Sequence, residues 1–208
     1  MSKSSFSGTV LAVQPRIRLH RSFDQRHHTY QGYLLRIDGQ VDGWNRSVAV
    51  AIGATAQEKH GFRSGDQIAG EGEPVLDPKT EVADLYKAAR LRVETRSHVE
   101  SRTGPPWLGM PVALEMYRER GHRRLDTKTF NGKCVTCVWA CEMAVEITID
   151  QWNTRNIRWR RETFCYGPKS CALYRPGPTR KVPGRKGMSW EEGDWIEDEE
   201  TSHRGEDE

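Results

Sequence analysis

The chain has 208 residues, 36% of them hydrophobic, and a mean hydropathy of −0.78, which excludes one large apolar core and fits one or two small domains with a staple such as a metal. No long apolar run is present to span a bilayer, and MSKSSFSGTVLAV lacks the h-region and cleavage site of a secretion signal, so a cytoplasmic protein without membrane contact is expected. The net charge of +3 hides an asymmetry: residues 1–187 carry 31 basic against 19 acidic side chains, and residues 188–208 carry one against ten.

A basic body with an acidic tail is a common pattern in proteins that handle polyanions. Like charge at high density predicts a disordered, solvated tail over 188–208, for which solubility is the plainer role.

In chain order, residues 6–75 read as a short-stranded β unit. FSGTVLAV, TYQGYLLRID and RSVAVAIG alternate apolar and polar residues between Gly, Asp and Asn turn signals. ATAQEKHGF predicts a short helix closed by Gly61. RSGD then turns into the strand QIAGEGEPV, and ARLRVETR predicts a fifth strand. Residues 97–132 form a linker or packing segment: GPPWLGMP breaks regular structure, and ALEMYRERGHRRLD predicts a short helix ended by Gly121.

Three strands, a short helix and two strands over residues 1–96 resemble the OB-fold, a five-stranded Greek-key barrel with a helix between its third and fourth strands. Another small β-barrel would carry the same pattern. The OB resemblance implies binding of oligonucleotides or oligosaccharides through the second and third strands and the loop between the first two. In RIRLHRSFDQRHHTYQGY it implies roles for Arg16, Arg18, Arg21, Arg26, Tyr30 and Tyr33. The pair His27-His28 beside Asp24 falls in that expected loop, where an exposed histidine is ordinary.

All five cysteines lie in residues 133–172. Clustered thiols in a reducing compartment are more often metal ligands than disulfides. The spacing Cys134-x2-Cys137-x3-Cys141, then Cys165-x5-Cys171, is similar to a zinc ribbon, two thiolate knuckles joined by a hairpin. AVEITID and IRWRRETF supply the hairpin strands, with a turn at residues 153–156. Zinc takes four ligands. Cys141 shares strand parity with Met143, Val145, Ile147 and Ile149, so it reads as a buried hydrophobe, leaving Cys134, Cys137, Cys165 and Cys171 as the tetrahedral set. A [4Fe–4S] cluster is the rival and would recruit Cys141; a site without metal is the third possibility. No histidine stands at ligand spacing, which favours a closed structural site over a catalytic one.

Basic residues crowd the same segment. Arg155, Arg158, Arg160 and Arg161 interleave with Trp152 and Trp159, and YRPGPTRKVPGRKGM adds Arg175, Arg180, Lys181, Arg185 and Lys186 on an expected irregular loop. Cations neutralise phosphates and aromatic faces stack unpaired bases, a combination suited to single strands. The tryptophans would serve equally as ribbon core. No phosphate-binding loop, nucleophile elbow or HExxH motif is present. The sequence therefore predicts a mainly β protein: a five-stranded OB-like barrel, a metal-binding β-ribbon over 133–187 and an acidic tail. The function expected is non-enzymatic binding of single-stranded nucleic acid or ribonucleoprotein. Alternatives are an assembly subunit docking protein partners through the ribbon or tail, and an iron–sulfur accessory protein.

Overall fold

The computed structural model describes residues 2–23, 25–98, 104–153, 155–193 and 195–205. It is mainly β. Strands β1 (Ser4–Arg21), β2 (Arg26–Val41), β3 (Trp44–Ile52), β4 (Gln67–Pro74) and β5 (Leu85–Thr95) close a ring in the order β1-β2-β3-β5-β4 and back to β1. Helix α1 (Ala54–His60) stands between β3 and β4, closed by Gly61 in the left-handed conformation. The ring is loosely compatible with an OB-like barrel. Its interior is filled by the alternating apolar residues read from the sequence, including Val10, Leu35, Val50, Ile68 and Leu85.

Strand β1 organises the molecule because it changes partners. Residues Ser4 to Thr9 pair with β4, and from Phe6 onward they pair with β2 as well. Arg18 to Arg21 pair with β2 and, in parallel, with β7 (Ala140–Thr148). Register shifts at Val10/Ala12 and Arg16/Ile17 mark where the strand bends between these partners. Pro15 falls in the stretch paired on one side alone, where a residue without an N–H is tolerated.

Three expectations are corrected here. The predicted loop between the first two strands is mostly strand: β1 and β2 stay paired to Arg21↔Arg26, because Ile17 and Leu19 continue the alternation and are buried. The cysteine-rich hairpin, β7 and β8 (Ile157–Cys165), is not a separate ribbon but extends the same sheet through β1. Its turn lies at residues 149–156, as the sequence indicates.

The acidic segment is the third. Strand β9 (Arg180–Pro183) pairs with β10 (Ser189–Glu192), and helix α4 (Trp195–Thr201) follows. Glu192, Ile196, Glu197 and Thr201 are buried. The predicted irregular basic loop and disordered tail therefore fold back, because their carboxylates find buried arginines. Asp194 and residues 206–208 of the expected tail, and Asp24, lie outside the described residues.

The segment between ring and hairpin carries helix α2 (Leu114–Arg120), the short strand β6 (Arg123–Arg124) beside β8, and helix α3 (Thr127–Thr129) running into a π-helical turn, Phe130–Cys134. Gly121 after α2 has φ 66°, and a Cβ there would lie 2.8 Å from the Glu200 carbonyl oxygen, so α4 seats against a glycine. Among the described residues no helix is long and apolar enough to cross a membrane.

Candidate nucleic-acid interface and thiol cluster

Of the four cysteines chosen by spacing and strand phase, three share one apolar cluster: Cys134, Cys137 and Cys165 lie with Leu125, Phe130 and Ala140. Cys171 lies near enough that its ionisation would oppose that of Cys134 and Cys165. Cys141 belongs to the larger core with Met143, Val145 and Ile147, although it too feels Cys165.

Two turns present the first pair: the Cys137 N–H donates to the Cys134 carbonyl at 2.9 Å, and the Ala140 N–H to the Cys137 carbonyl at 3.2 Å. Gln14, fully buried on β1, holds this segment. Its Nε2 donates to the Val135 and Cys137 carbonyls at 3.1 and 2.9 Å, and its Oε1 accepts from Arg36 Nε at 2.8 Å. The second pair is braced by Arg123, which donates to the Pro168 carbonyl at 2.8 Å and covers the Tyr174 ring at 3.9 Å. Neither role was visible in the sequence, since a strand glutamine carries no signal for a contact over a hundred residues away.

Burial pushes the thiol of Cys134 up to about 11 and that of Cys137 up to about 12, and raises Cys165. Backbone amides oppose this. The Gly167 N–H donates to Cys165 Sγ at 3.3 Å, and those of Trp139 and Trp107 favour the Cys137 thiolate. Amides aimed at buried sulfur favour the thiolate, the form in which cysteine binds a metal ion. Among the described residues no group of three or more His, Cys, Asp and Glu side chains is arranged to hold a metal ion as it stands.

The basic residues divide into two classes. Most of those implied by the OB resemblance are engaged internally. Arg16 pairs with Glu81, Arg18 donates to the Thr80 carbonyl at 2.9 Å, and Arg21 is buried between Glu192 at 2.6 Å and Glu162 at 3.5 Å. Arg26 pairs with Glu192 and Glu200. Tyr33 is buried and donates to the Val112 carbonyl, and Tyr30 is half-buried beneath Arg118 at 4.9 Å. In β8, Arg160 pairs with Glu162, and Arg161 donates to the carbonyls of Pro78 and Glu81. Arg180 lies 3.4 Å from Glu162. Apart from Glu162 beside Arg160, the partners that claim these cations are distant in sequence and invisible to local pattern.

The second class is free to face a ligand. Arg155, Arg158, Lys181, Arg185 and Lys186 are exposed, with Arg185 3.5 Å from Asp150. Three hairpin tips meet at Arg185. Residues 22–23 of the β1–β2 hairpin, 148–152 of the β7–β8 hairpin, and Arg185 and Met188 between β9 and β10 line one cleft of about 220 Å³. Trp152 is 79% exposed, Met188 51% and Phe23 39%. Gly184 permits this seat, because a Cβ there would lie 3.0 Å from the Phe23 ring. Trp159, by contrast, is half-buried with Arg18 at 5.3 Å over its ring. Phe23 and Met188 were not singled out in the sequence; only the fold brings them to Trp152.

Behind the tips, His28 and His122 meet edge-on with ring centroids 4.7 Å apart. Burial, then neighbouring Arg26, Arg21 and histidine charge, holds His28 down at about 3. Burial, then His28 and Arg26, holds His122 well below its ordinary value. Above pH 6.5 both are neutral whether the chain is folded or not. Below it the unfolded chain takes up protons that the folded chain refuses. Stability should fall by up to about 1.4 kcal/mol per pH unit for each histidine. Burial raises Glu197 and Glu200 above 4.5; they take up protons on folding and oppose the loss at lower pH, so it is clearest between about pH 6.5 and 5.5. Calorimetry should give a lower Tm at the acidic end, with the difference reduced in His122→Gln. A flat profile in the unaltered protein would refute the burial argument.

No known protein family, curated protein or solved structure matches the chain.

Proposed function

We propose that the protein is a non-enzymatic single-stranded nucleic-acid-binding protein, built on an OB-like barrel and carrying a structural zinc on Cys134, Cys137, Cys165 and Cys171. The observation that carries the binding reading is the cleft at the three hairpin tips, where exposed Trp152, Phe23 and Met188 line one wall with Arg185, and exposed Arg155, Arg158 and Lys186 follow in the same hairpins. Exposed aromatics offer faces to unpaired bases of any sequence, and the flanking cations offer charge to the phosphates between them.

The order of the ring, with α1 between β3 and β4, supports the OB-like reading. Glu81 engages Arg16 and Arg18, cations the OB resemblance assigns to binding, which favours the exposed tips as the interface. The place of Cys141 in the larger core supports zinc over an iron–sulfur cluster that would need it. An assembly role has one observation of its own: Trp44 and Leu76 are large apolar side chains on the ring left 78% and 74% exposed.

Anisotropy of a labelled oligothymidine should report binding that weakens steeply with salt, with a log–log slope of about −0.7 per phosphate held. Trp152→Ala should weaken it by the loss of one stacked base, about 1–3 kcal/mol or roughly five- to 150-fold. An absence of binding at low salt, or binding indifferent to both Trp152 and salt, would overturn the reading in favour of a protein partner.

A further inference from the structure

The acidic helix α4 is held mostly by polar contacts, and Arg204 just after it donates to the Tyr166 and Gly167 carbonyls. It has seven residues, WIEDEET, four of them acidic, with no basic residue in its last turn. A helix that short is marginal alone. Its like charges at i,i+3 repel, and the acids near its C-terminus oppose the helix dipole. Ile196 is its one buried apolar side chain among those described. What fixes it is a set of ion pairs. Glu197 accepts from Arg124 Nε at 2.6 Å and from the Arg124 N–H at 2.8 Å, and Glu200 faces Arg26 and lies 3.3 Å from His122 Nδ1.

The surface beneath is cationic and continuous with the hairpin tips. Arg26 and Arg21 line a cleft with Trp190, Ile196 and Glu199 that shares Ser22 with the tip cleft. On the other flank of Glu200 a second cleft, of about 330 Å³, holds Arg118, Tyr30 and His27. Carboxylates thus sit along a line of arginines that begins at the nucleic-acid site.

We propose that α4 is an internal stand-in for a phosphate backbone, and that the surface it covers, Arg26 and Arg124, takes the continuation of the single strand that docks on the tips. This rests on the nucleic-acid reading of the tips. A short strand fills the tip cleft alone and leaves α4 in place. A longer strand exchanges carboxylates for phosphates on the same arginines, and α4 leaves. Strand β10 stays, since Glu192 belongs to the buried pairing with Arg21.

The test uses the full chain and two oligothymidines, of about 6 and about 20 nucleotides, lying within and beyond the usual span of one OB fold. Hydrogen exchange at amides 196–201 should accelerate with the longer strand and stay unchanged with the shorter. In the full-length variant Glu197→Gln/Glu200→Gln, affinity for the longer strand should rise by about tenfold, the size expected when the two ion pairs of α4 no longer need breaking. The shorter strand should bind both proteins alike. If both strands bind but α4 stays protected and the variant gains nothing, this proposal fails and the tip site stands. If neither strand binds at low salt, the nucleic-acid reading itself fails and takes this one with it.

Discussion

Cys137→Ser is expected to unfold the segment around the two knuckles, while Cys141→Ser is expected to leave it folded. Both thiols are buried, at 5% and 1% exposure, so as packing elements they are equivalent. Turning either into a hydroxyl in apolar surroundings costs about 1–3 kcal/mol. If Cys137 is a zinc ligand, its loss also removes much of a binding free energy of about 10–16 kcal/mol. That is comparable with the whole stability of a domain. The measurement is paired: zinc per chain by elemental analysis, and exchange of amides in residues 130–174, for each variant and the unaltered protein. Equal, mild effects of the two substitutions would remove the metal. Stoichiometric iron and sulfide, with Cys141→Ser as damaging as Cys137→Ser, would replace zinc by a cluster. Gln14→Ala gives an independent check, since losing its two hydrogen bonds to this turn should weaken metal retention without touching a thiol.

The ring strands were legible because their signals are local. Alternation places Val10, Leu35 and Val50 inside, and Gly61 closes α1 where the sequence indicates. The approach of Cys165 to Cys134 and Cys137 was legible for a related reason: one hairpin with a readable turn fixes the return of its second strand. What was not legible depends on partners far apart in sequence. Ile17 and Leu19 continue the alternation of β1, but the charged residues between them suggest a loop until β7 is known to pair alongside. The acidic segment reads as solvated because its composition is that of a solvated segment. Only the fold places Glu192 and Glu197 against Arg21 and Arg124. The same blindness misassigned Arg21 and Arg26 as surface cations, since sequence counts charges without showing which are neutralised.

Glu162→Gln is expected to cost about 3–5 kcal/mol, the penalty for removing one member of a buried ion network. The Glu162 side chain is fully buried on β8, with Arg21 at 3.5 Å, Arg180 at 3.4 Å and Arg160 paired to its other oxygen. Glu192 adds a second carboxylate to Arg21. None of the three Arg21 guanidinium nitrogens makes an aligned hydrogen bond, so the cluster is held by charge balance more than by directed bonds. Glutamine keeps the shape and removes the charge, leaving three arginines to share Glu192. Desolvation already pulls Arg21 below its ordinary value, which marks how poorly it tolerates losing an anion. The comparison is Glu94→Gln on the exposed pair with Arg92, whose loss should cost no more than about 1 kcal/mol. Urea unfolding separates the two, and added salt should erase the small effect while leaving the large one, because a buried pair is weakly screened. The network ties β8 to β1, β9 and β10, the strands that carry the three hairpin tips. Glu162→Gln should therefore also weaken oligonucleotide binding, although Glu162 touches no ligand. A loss below about 1 kcal/mol would show that water or neighbouring acids compensate Arg21, and that the tips are positioned by packing alone.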